Sequence, residues 1–261
     1  MSLEFYFALD TGRARSNNED SVAVDEAHGL AVLADGMGGY NAGEVASHMA
    51  TSFIIAELGR WLEVAADKAT DVELRRAMDI CVDNANRAIY DAANADLQYA
   101  GMGTTLVVAH VRGNELRIGH VGDSRAYRWR ANALEQITRD HSLLQEQIDA
   151  GLITPEQAAY SANKNLVTRA VGVEDSVQLE THLHELHAGD VVLMCSDGLT
   201  DMLPDSVLAR LLQSHDALPA VGQAMIAAAN EAGGKDNISL ILIRVVGSPS
   251  GSSRPWWRLR R

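Results

Sequence analysis

The chain has only two cysteines, Cys81 and Cys195, among its 261 residues. Two cysteines exclude a disulfide framework and favour a reducing compartment such as the cytoplasm. Basic residues are also scarce, because 22 Lys and Arg stand against 35 Asp and Glu and leave a formal net charge of −13. This charge repels nucleic acid and anionic membranes. We therefore expect a cytoplasmic protein that binds no nucleic acid.

Long hydrophobic runs are missing as well. The best candidate, from Ile238 to Val246, is interrupted by Arg244 and is far shorter than the roughly 18 apolar residues of a membrane span. The first ten residues contain Glu4 and Asp10 and no basic residue, which does not fit a secretory signal. Hydrophobic residues make up 47% of the chain and charged residues 22%, so the composition predicts a soluble folded domain.

Short apolar or alternating segments bounded by Gly, Asp and Asn predict strands, and longer segments with helical spacing predict helices. Strands follow one another across short turns such as Arg112-Gly113-Asn114, which favours an α+β fold with mostly antiparallel sheets and helices packed outside. The strands are predicted at Phe5–Leu9, Ser21–Asp25, Leu30–Ala34, Thr104–Val111, Leu116–Val121, Arg125–Trp129, Val177–Leu183, Val191–Cys195 and Ile238–Val246. The longer helices are predicted at Gly43–Val64, from Val72 to about Leu97, and from Leu218 to about Ala232.

Two segments stand apart from this pattern. Residues 141–173 contain short helical pieces and a polar stretch, and we expect a mobile insertion there. From Gly247 onward the composition changes to small residues followed by Trp256, Trp257 and several arginines. We expect a domain over residues 1–246 and a flexible basic and aromatic tail over 247–261. The tail is a candidate for membrane or partner contact, although a short disordered tail is favoured because one such cluster anchors weakly.

Aspartates recur where apolar strands end. Asp35-Gly36 and Asp197-Gly198 each follow such a strand, Asp123 follows a looser copy, and Asp236 lies just before the last strand. Taken singly, each reads as a turn. Several carboxylates at one sheet edge would repel each other unless a cation neutralised them, and oxygen ligands suit Mg²⁺ or Mn²⁺ better than zinc.

Near the N-terminus, Arg15 lies close in sequence to Glu19 and Asp20. An arginine there could bind a phosphate through its planar guanidinium while the acids hold metal-bound water. A charged surface loop is the alternative interpretation.

Together these segments resemble the ordered motifs of the metal-dependent protein phosphatases (PPM, type 2C). Seven short motifs occur in family order across residues 1 to about 246, which makes the resemblance specific. They are Arg15 with Asn18-Glu19-Asp20, Asp35-Gly36-Met37-Gly38-Gly39, Gly103-Thr104-Thr105, Gly122-Asp123-Ser124-Arg125, Asp140-His141-Ser142, Ser196-Asp197-Gly198 and Gly234-Lys235-Asp236-Asn237. The resemblance implies a four-layer α-β-β-α sandwich with two to three Mn²⁺ or Mg²⁺ ions in a cleft at one edge of the sheets.

The resemblance also assigns the metal ligands. Asp35 matches the carboxylate shared by two metals, and the carbonyl of Gly36 matches a ligand of one of them. Asp197 and Asp236 complete the other metal. A third metal, held by bacterial members, would be bound by Asp123 together with Asp197.

Three further positions match residues around the metals. Glu19 and Asp20 resemble groups that orient coordinated water, and Arg15 resembles the arginine that binds the substrate phosphate. The implied reaction is hydrolysis of phosphoserine and phosphothreonine on proteins, by attack of a metal-bridging water and without a phosphoenzyme. The implied partners are phosphoproteins and a serine/threonine kinase whose action the enzyme reverses, and we expect a monomer.

The proton donor for the leaving alkoxide is an open question at the level of the sequence. Some family members have a histidine directly after the first Asp-Gly, and here that position is Met37. A metal-bound water is the first candidate and His141 the second. By its place in the chain, the 141–173 insertion resembles a flap beside the cleft, which predicts that it shapes substrate choice.

Other motifs in the sequence suggest alternative functions. Cys81 and Arg87 match the spacing of the cysteine-dependent tyrosine phosphatases, but they fall within a predicted helix without a phosphate-binding loop, which indicates a buried core thiol. His182, His184 and His187 suggest a metal cluster, but the strand pattern predicts surface positions for them. A phosphoprotein-binding module that has lost turnover, an anti-sigma-pathway phosphatase and a general phosphodiesterase remain alternatives on the same fold.

Overall fold

A computed structural model describes residues 1–39, 42–65, 68–158, 166–214 and 216–247. Within these residues the chain forms eleven strands and seven α-helices. The strands are β1 (Ser2–Asp10), β2 (Asp20–Asp25), β3 (Leu30–Met37), β4 (Gly103–Thr104), β5 (Leu106–Arg112), β6 (Glu115–Val121), β7 (Arg125–Arg130), β8 (Ala133–Gln136), β9 (Glu180–Glu185), β10 (Val191–Cys195) and β11 (Ile238–Val246). The helices are α1 (Ala42–Ala65), α2 (Asp71–Ala95), α3 (Leu143–Asp149), α4 (Pro155–Ala158), α5 (Asp197–Thr200), α6 (Asp205–Ser214) and α7 (Leu218–Glu231).

The strands form two sheets, and every strand pair within the described ranges is antiparallel. The first sheet has the order β1-β11-β10-β7-β8, and the second has the order β2-β3-β5-β6-β9, with β4 paired to the end of β3. Strands that are far apart in sequence are often neighbours in a sheet, as β1 and β11 are. This order brings strand ends that are far apart in sequence to a common edge.

Three clusters of buried side chains separate four layers. One cluster joins α1 and α2 to the second sheet. The central cluster lies between the two sheets and contains Leu33 and Ile118 from one sheet and Met194 and Ile241 from the other. The third cluster joins the first sheet to α5, α6 and α7. The structure therefore confirms the predicted α-β-β-α sandwich.

The local sequence explains where α2 begins. Thr70 accepts a hydrogen bond from the backbone N–H of Glu73, and the Glu73 carboxylate accepts one from the backbone N–H of Thr70 at 2.8 Å. This reciprocal arrangement satisfies two N–H groups that the helix itself leaves without partners. Leu74, Met78 and Cys81 are buried on one face, as their helical spacing predicts.

The sequence pattern misplaced or missed several elements. The strand predicted at Val177–Leu183 is β9, which begins three residues later and ends two residues later. The short strand β8 and the helix α6 were not predicted at all. β8 is four residues long and half exposed at a sheet edge, so it has no continuous apolar run to reveal it. α6 does carry a helical pattern, with Val207, Leu208, Leu211 and Leu212 packed against the third cluster, so its signal was present in the sequence and was overlooked.

The prediction of exposed positions was wrong for His182 and His184. Both are partly buried, although the His182 side chain is still 42% exposed, and the exposed residues of the strand are Leu183, at 46%, and Glu185. In the β6–β9 register His182 lies opposite Ile118 and His184 opposite Leu116. These partners belong to the central cluster, and residues directly opposite in an antiparallel pair share a face. The two histidines therefore face the space between the sheets.

Two expectations lie partly or wholly outside the described residues. Of the predicted tail only Gly247 is described, and residues 159–165 of the predicted flap are also outside the described ranges. No helix within the described residues is long and apolar enough to cross a membrane.

Candidate metal centre

Aspartates from both sheets meet in one cleft of about 270 Å³. Asp35 lies near the end of β3, and Asp123 follows β6 in the same sheet. Asp197 follows β10, and Asp236 precedes β11, the neighbour of β10 in the other sheet. All four line the cleft together with Arg15, Glu19, Gly36, Met37, Gly38, Thr105, Val167 and Asn237. The cleft thus brings together aspartates that are as far apart in sequence as Asp35 and Asp236.

The backbone around Asp35 is held by two threonines. The backbone N–H of Asp35 donates to Thr105 Oγ1 at 3.0 Å, and the Thr105 N–H donates to the carbonyl of Asp35 at 2.8 Å. The Thr104 hydroxyl donates to the same carbonyl at 2.8 Å. Both threonines are buried, so the carboxylate is presented from a rigid strand end. The Gly-Thr-Thr motif was noticed in the sequence, but its role as the support of Asp35 was not.

Gly36 and Gly198 allow the backbone to pack closely beside the aspartates. A Cβ atom on Gly36 would lie 2.1 Å from the carbonyl oxygen of Gly43, and one on Gly198 would lie 1.9 Å from the carbonyl oxygen of Asn237. Such distances are too short for any side chain at these positions. The glycines after Asp35 and Asp197 are therefore required by close packing of the backbone.

Asn237 ties the N-terminal loop to the Asp236 loop. Its Oδ1 accepts from the Glu19 N–H at 2.8 Å, and its Nδ2 donates to the carbonyls of Thr11 at 3.0 Å and Asn17 at 2.8 Å. Asn237 is buried, and these three bonds fix the loop that carries Arg15. The sequence places Asn237 in the Gly234-Lys235-Asp236-Asn237 motif but indicates no function for it. Its chemistry can be read only once the two loops are known to touch.

Arg15 reaches over the mouth of the cleft. Its Nη2 donates to Asp236 Oδ2 at 2.7 Å, and its side chain is 51% exposed. An exposed ion pair of this kind contributes little to stability. A guanidinium held there by one carboxylate keeps other N–H groups free for a phosphate.

Asp20 lies below the cleft rather than in its wall. It is paired with Asp35 in the β2–β3 register, and its Oδ2 accepts from the Ser196 hydroxyl at 2.8 Å. Its Oδ1 is buried without a hydrogen-bond partner. Glu19, in contrast, lines the cleft, and its Oε1 accepts from Asn17 Nδ2 at 3.2 Å.

The carboxylates raise one another's proton affinity. Burial, together with repulsion from Asp20, Asp197, Asp123 and Asp236, raises the pKa of Asp35 well above its usual value.

The neighbouring acids behave in the same way. Burial and then repulsion from Asp123 and Asp201 raise the pKa of Asp197. Burial raises the pKa of Asp20 to about 6, against hydrogen bonds that lower it. Burial and the charge of Asp140 raise the pKa of Asp123 to about 6. The protein alone therefore disfavours the full charge of this site.

This donor set fits divalent cations. Hard ions such as Mg²⁺ and Mn²⁺ are bound by carboxylate and carbonyl oxygens, and one or two dipositive ions would relieve the repulsion that raises these pKa values. The unpartnered Oδ1 of Asp20 is a further acceptor left for a cation or for its water. Oxygen ligands dominate the cleft, and neither cysteine lines it.

The two cysteines have the environment of core residues. Cys81 and Cys195 are both buried and free. Burial and the charge of Glu57 raise the pKa of Cys81 to about 11, and burial raises that of Cys195 to about 12. A nucleophilic cysteine needs a lowered pKa. The rejection of cysteine-dependent phosphatase chemistry is thus confirmed.

Comparison with known proteins gives a consistent result. The family model for protein phosphatase 2C matches residues 12–242. The serine/threonine phosphatase stp of Listeria innocua is 37% identical over 240 residues, which cover 91% of this chain and 94% of the relative. The protein phosphatase PhpP of Streptococcus pneumoniae is 36% identical over 245 residues, which cover 92% of this chain and 97% of the relative.

Solved structures agree with this family match. The serine/threonine phosphatase PstP/Ppp of Mycobacterium tuberculosis matches with a TM-score of 0.83 and 36% identity, covering 95% of this chain and 100% of that chain. A structure of the PstP catalytic domain in complex with two manganese ions matches with a TM-score of 0.81 and 36% identity, covering 94% of this chain and 99% of that one.

The two-sheet sandwich and its acidic cleft define a hydrolase of the metal-dependent protein phosphatase class. The chain belongs to the protein phosphatase 2C family. It is a protein serine/threonine phosphatase of the bacterial type, as are the relatives it matches over nearly their whole length.

Proposed function

We propose that the chain hydrolyses phosphoserine and phosphothreonine in proteins at the Asp35, Asp197 and Asp236 cleft, with Mn²⁺ or Mg²⁺ bound there. The convergence of these three aspartates from two sheets into one cleft supports this proposal most directly. Asp35 would bridge two ions, the carbonyl of Gly36 would join one of them, and Asp197 and Asp236 would hold the other. Asp123 with Asp197 would bind a third.

Bound ions would supply a deprotonated water as nucleophile and would neutralise charge on the phosphoryl group. The chain's own residues would then orient the substrate. Arg15 lies at the rim, where its guanidinium donates to a phosphate oxygen while Asp236 holds it in place. Glu19 and Asp20 keep carboxylate oxygens near the floor of the cleft to accept hydrogen bonds from water. No nucleophilic side chain is required, so no phosphoenzyme forms.

Met37 lines the cleft at the position where some relatives of this family have a histidine, and a thioether cannot donate a proton. His141 was the other side-chain candidate for the leaving group's proton. The cleft-lining residues do not include it, and its two ring nitrogens are engaged elsewhere. We propose that a coordinated water donates this proton.

The proposed activity is tested with a phosphothreonine peptide. Purified protein with 1 mM Mn²⁺ should release phosphate, and excess EDTA should abolish the release. Phosphate release that survives EDTA would contradict the proposal. Peptide binding without release at any of several metals would instead favour a binding module that lacks turnover.

Arg15 offers a prediction about the substrate phosphate. Replacing Arg15 by alanine should lower kcat/KM on the peptide by about 10- to 100-fold, because one charge-assisted contact to the phosphoryl group is lost. Arg15→Lys should recover only part of this loss, since an ammonium cannot make the bidentate contact. The control is Arg60→Ala, on the exposed surface of α1, which should leave kcat/KM unchanged. Equal activity of Arg15→Ala and wild type would remove Arg15 from the site.

The insertion at 141–173 is proposed to contribute to substrate choice. Val167 from this segment lines the cleft, so the segment contacts the space in which a phosphopeptide would lie. We propose that residues 1–246 form the phosphatase domain and residues 247–261 a separate tail. We also propose that the enzyme acts in the cytoplasm as a monomer and reverses a serine/threonine kinase, without nucleic acid or membrane contact.

A further inference from the structure

A group of polar side chains, buried at His120 and His141 and partly exposed at Glu180 and His182, lies beside the metal cleft but outside its lining. His120 and His141 stack with ring centroids 4.6 Å apart and an angle of 16° between planes. His182 continues the stack at 6.2 Å from His120. Glu180 Oε2 lies 3.1 Å from His141 Nε2, and Glu180 Oε1 lies 2.9 Å from His182 Nε2. The proposed reaction gives these residues no role.

The hydrogen bonds of His141 fix which of its nitrogens carries the proton. The backbone N–H of Gly122 donates to Nδ1 at 3.1 Å, so Nδ1 is an acceptor. In the neutral ring Nε2 then carries the proton and donates a hydrogen bond to Glu180 Oε2. Arg169 Nη1 lies 3.2 Å from the same Nε2, but both groups are donors in this tautomer, so Glu180 is the hydrogen-bond partner. Burial lowers the pKa of His141, and the nearby Arg169 adds to this effect. The ring is therefore neutral, with Nδ1 facing the Gly122 turn.

Three of these groups, His120, His141 and Glu180, lie close enough together to suggest a metal site. The hydrogen bonds argue against one. His141 Nε2 carries a proton and has no lone pair for a cation. The rings of His120 and His141 are also nearly parallel, and lone pairs that lie in the planes of stacked rings do not converge on one ion. The cluster must act in another way.

Its direct contact is with the turn that presents Asp123. Besides the Nδ1 contact, the backbone N–H of His141 donates to the carbonyl of Gly122 at 2.9 Å. Gly122 has a φ of +100°, and a Cβ there would lie 2.8 Å from Thr105. His141 thus satisfies both backbone groups of the residue that precedes Asp123.

The orientation of Asp123 affects any cation that it shares with Asp197. Asp123 and Asp197 line the same cleft. A cation shared by these two carboxylates would be sensitive to small changes in the turn, because supporting residues around a metal site fix the ligand orientation.

We propose that His141 is a positioning residue for metal binding: its neutral Nδ1 holds the Gly122 turn so that Asp123 and Asp197 share a cation, and Glu180 keeps the proton on Nε2. The inference rests on the proposed function for the identity of that cation. It does not require His141 to touch substrate or metal.

The fold does not depend on this contact alone. Arg125, two residues after Asp123, donates to both carboxylate oxygens of Asp140 at 2.6–3.0 Å. This pair ties the same two segments together on the other side of the turn. Variants of His141 should therefore remain folded and differ in the turn itself.

The test compares two polar replacements of similar size. In His141→Asn the amide oxygen can occupy the place of Nδ1, whereas in His141→Gln the amide lies near the place of Nε2. Titration with Mn²⁺, followed by the electron paramagnetic resonance signal of free Mn²⁺, gives the number of bound ions and their dissociation constants. We expect the site that Asp123→Ala abolishes to lose about tenfold or more in affinity in His141→Gln and to stay within about threefold of wild type in His141→Asn. The dissociation constants of the other sites should be unchanged in both His141 variants.

A coupling measurement separates positioning from general destabilisation. Asp123→Ala removes a ligand of the site formed by Asp123 and Asp197. Adding His141→Gln to this variant should therefore weaken Mn²⁺ binding no further. Equal affinities in wild type, His141→Asn and His141→Gln would overturn the inference, and so would a further loss in the double variant. Should His141→Gln fail to fold, Glu180→Ala takes its place, with an expected loss of about tenfold and the same non-additivity. Wild-type protein that binds no Mn²⁺ would overturn the proposed function together with this inference, whereas intact binding in all variants overturns this inference only.

Discussion

Replacing Asp197 by asparagine should lower kcat/KM on a phosphothreonine peptide by about 10³-fold or more at saturating Mn²⁺. The substitution removes one negative charge from the place where two sheets bring four cleft aspartates together. It keeps the side chain's size, and the backbone bond from the Asp201 N–H to the Asp197 carbonyl at 2.7 Å is unaffected. Steady-state phosphate release measures the effect.

The same variant should be more stable than wild type when no metal is present. Repulsion from Asp123, Asp201 and Asp236 raises the pKa of Asp197, after burial as the main cause, so removing its charge relieves part of that cost. A loss of activity together with a gain in metal-free Tm is the expected signature of a functional site. Asp91→Asn, on the exposed surface of α2, is the control and should change neither quantity. A lowered metal-free Tm in Asp197→Asn would contradict the account.

Mn²⁺ should stabilise the protein strongly at pH 7.5 and much less at pH 5.5. At a concentration about 100 times the dissociation constant, ligand binding adds about 2.7 kcal/mol, which corresponds to a rise in Tm of roughly 5–10 °C for a domain of this size. Thermal unfolding with 1 mM Mn²⁺ or with EDTA, at each pH, measures the difference.

Mn²⁺ stabilises more at high pH because the pKa values of the cleft aspartates are raised. In the metal-free folded protein Asp20 and Asp123 have pKa values of about 6, against 3.8 for ordinary aspartate, and those of Asp35 and Asp197 are also raised. Above about pH 4 the folded state therefore binds more protons than the unfolded state. The contribution of these aspartates to the free energy of unfolding falls as the pH rises through about 6 and beyond. Cations replace the protons, so their stabilising effect grows with pH.

Buried histidines outside the metal site give stability the opposite pH dependence. Burial lowers the pKa of His110 to about 4 and also lowers those of His120 and His184, so these groups reduce stability as pH falls. Their contribution is the same with and without metal and cancels in the difference. A Mn²⁺ effect on Tm that is equal at both pH values would show that protons and cations do not compete for the same carboxylates.

The sequence was sufficient to predict the layers and the aspartates. β10 is a continuous apolar run that ends just before Asp197, and the mainly apolar β11 begins just after Asp236. Both the strand and the neighbouring acid can therefore be recognised in the sequence. The spacing of Leu74, Met78 and Cys81 likewise revealed the buried face of α2.

What the sequence could not show depends on contacts between distant segments. The role of Asn237 follows from three hydrogen bonds to a loop about 220 residues away. The orientation of His182 and His184 was mispredicted because alternation gives two faces but does not say which one meets the other sheet. The role of His141 appeared only once its Nδ1 was seen to accept from Gly122.

The central claim is that Asp35, Asp197 and Asp236 bind divalent ions together. Anomalous diffraction at the manganese edge, from crystals grown with Mn²⁺, tests it most directly. The account predicts two strong anomalous peaks in the cleft, each within about 2.5 Å of these carboxylates, with Asp35 shared between them. Peaks at other positions only, or none in the cleft at saturating Mn²⁺, would contradict it.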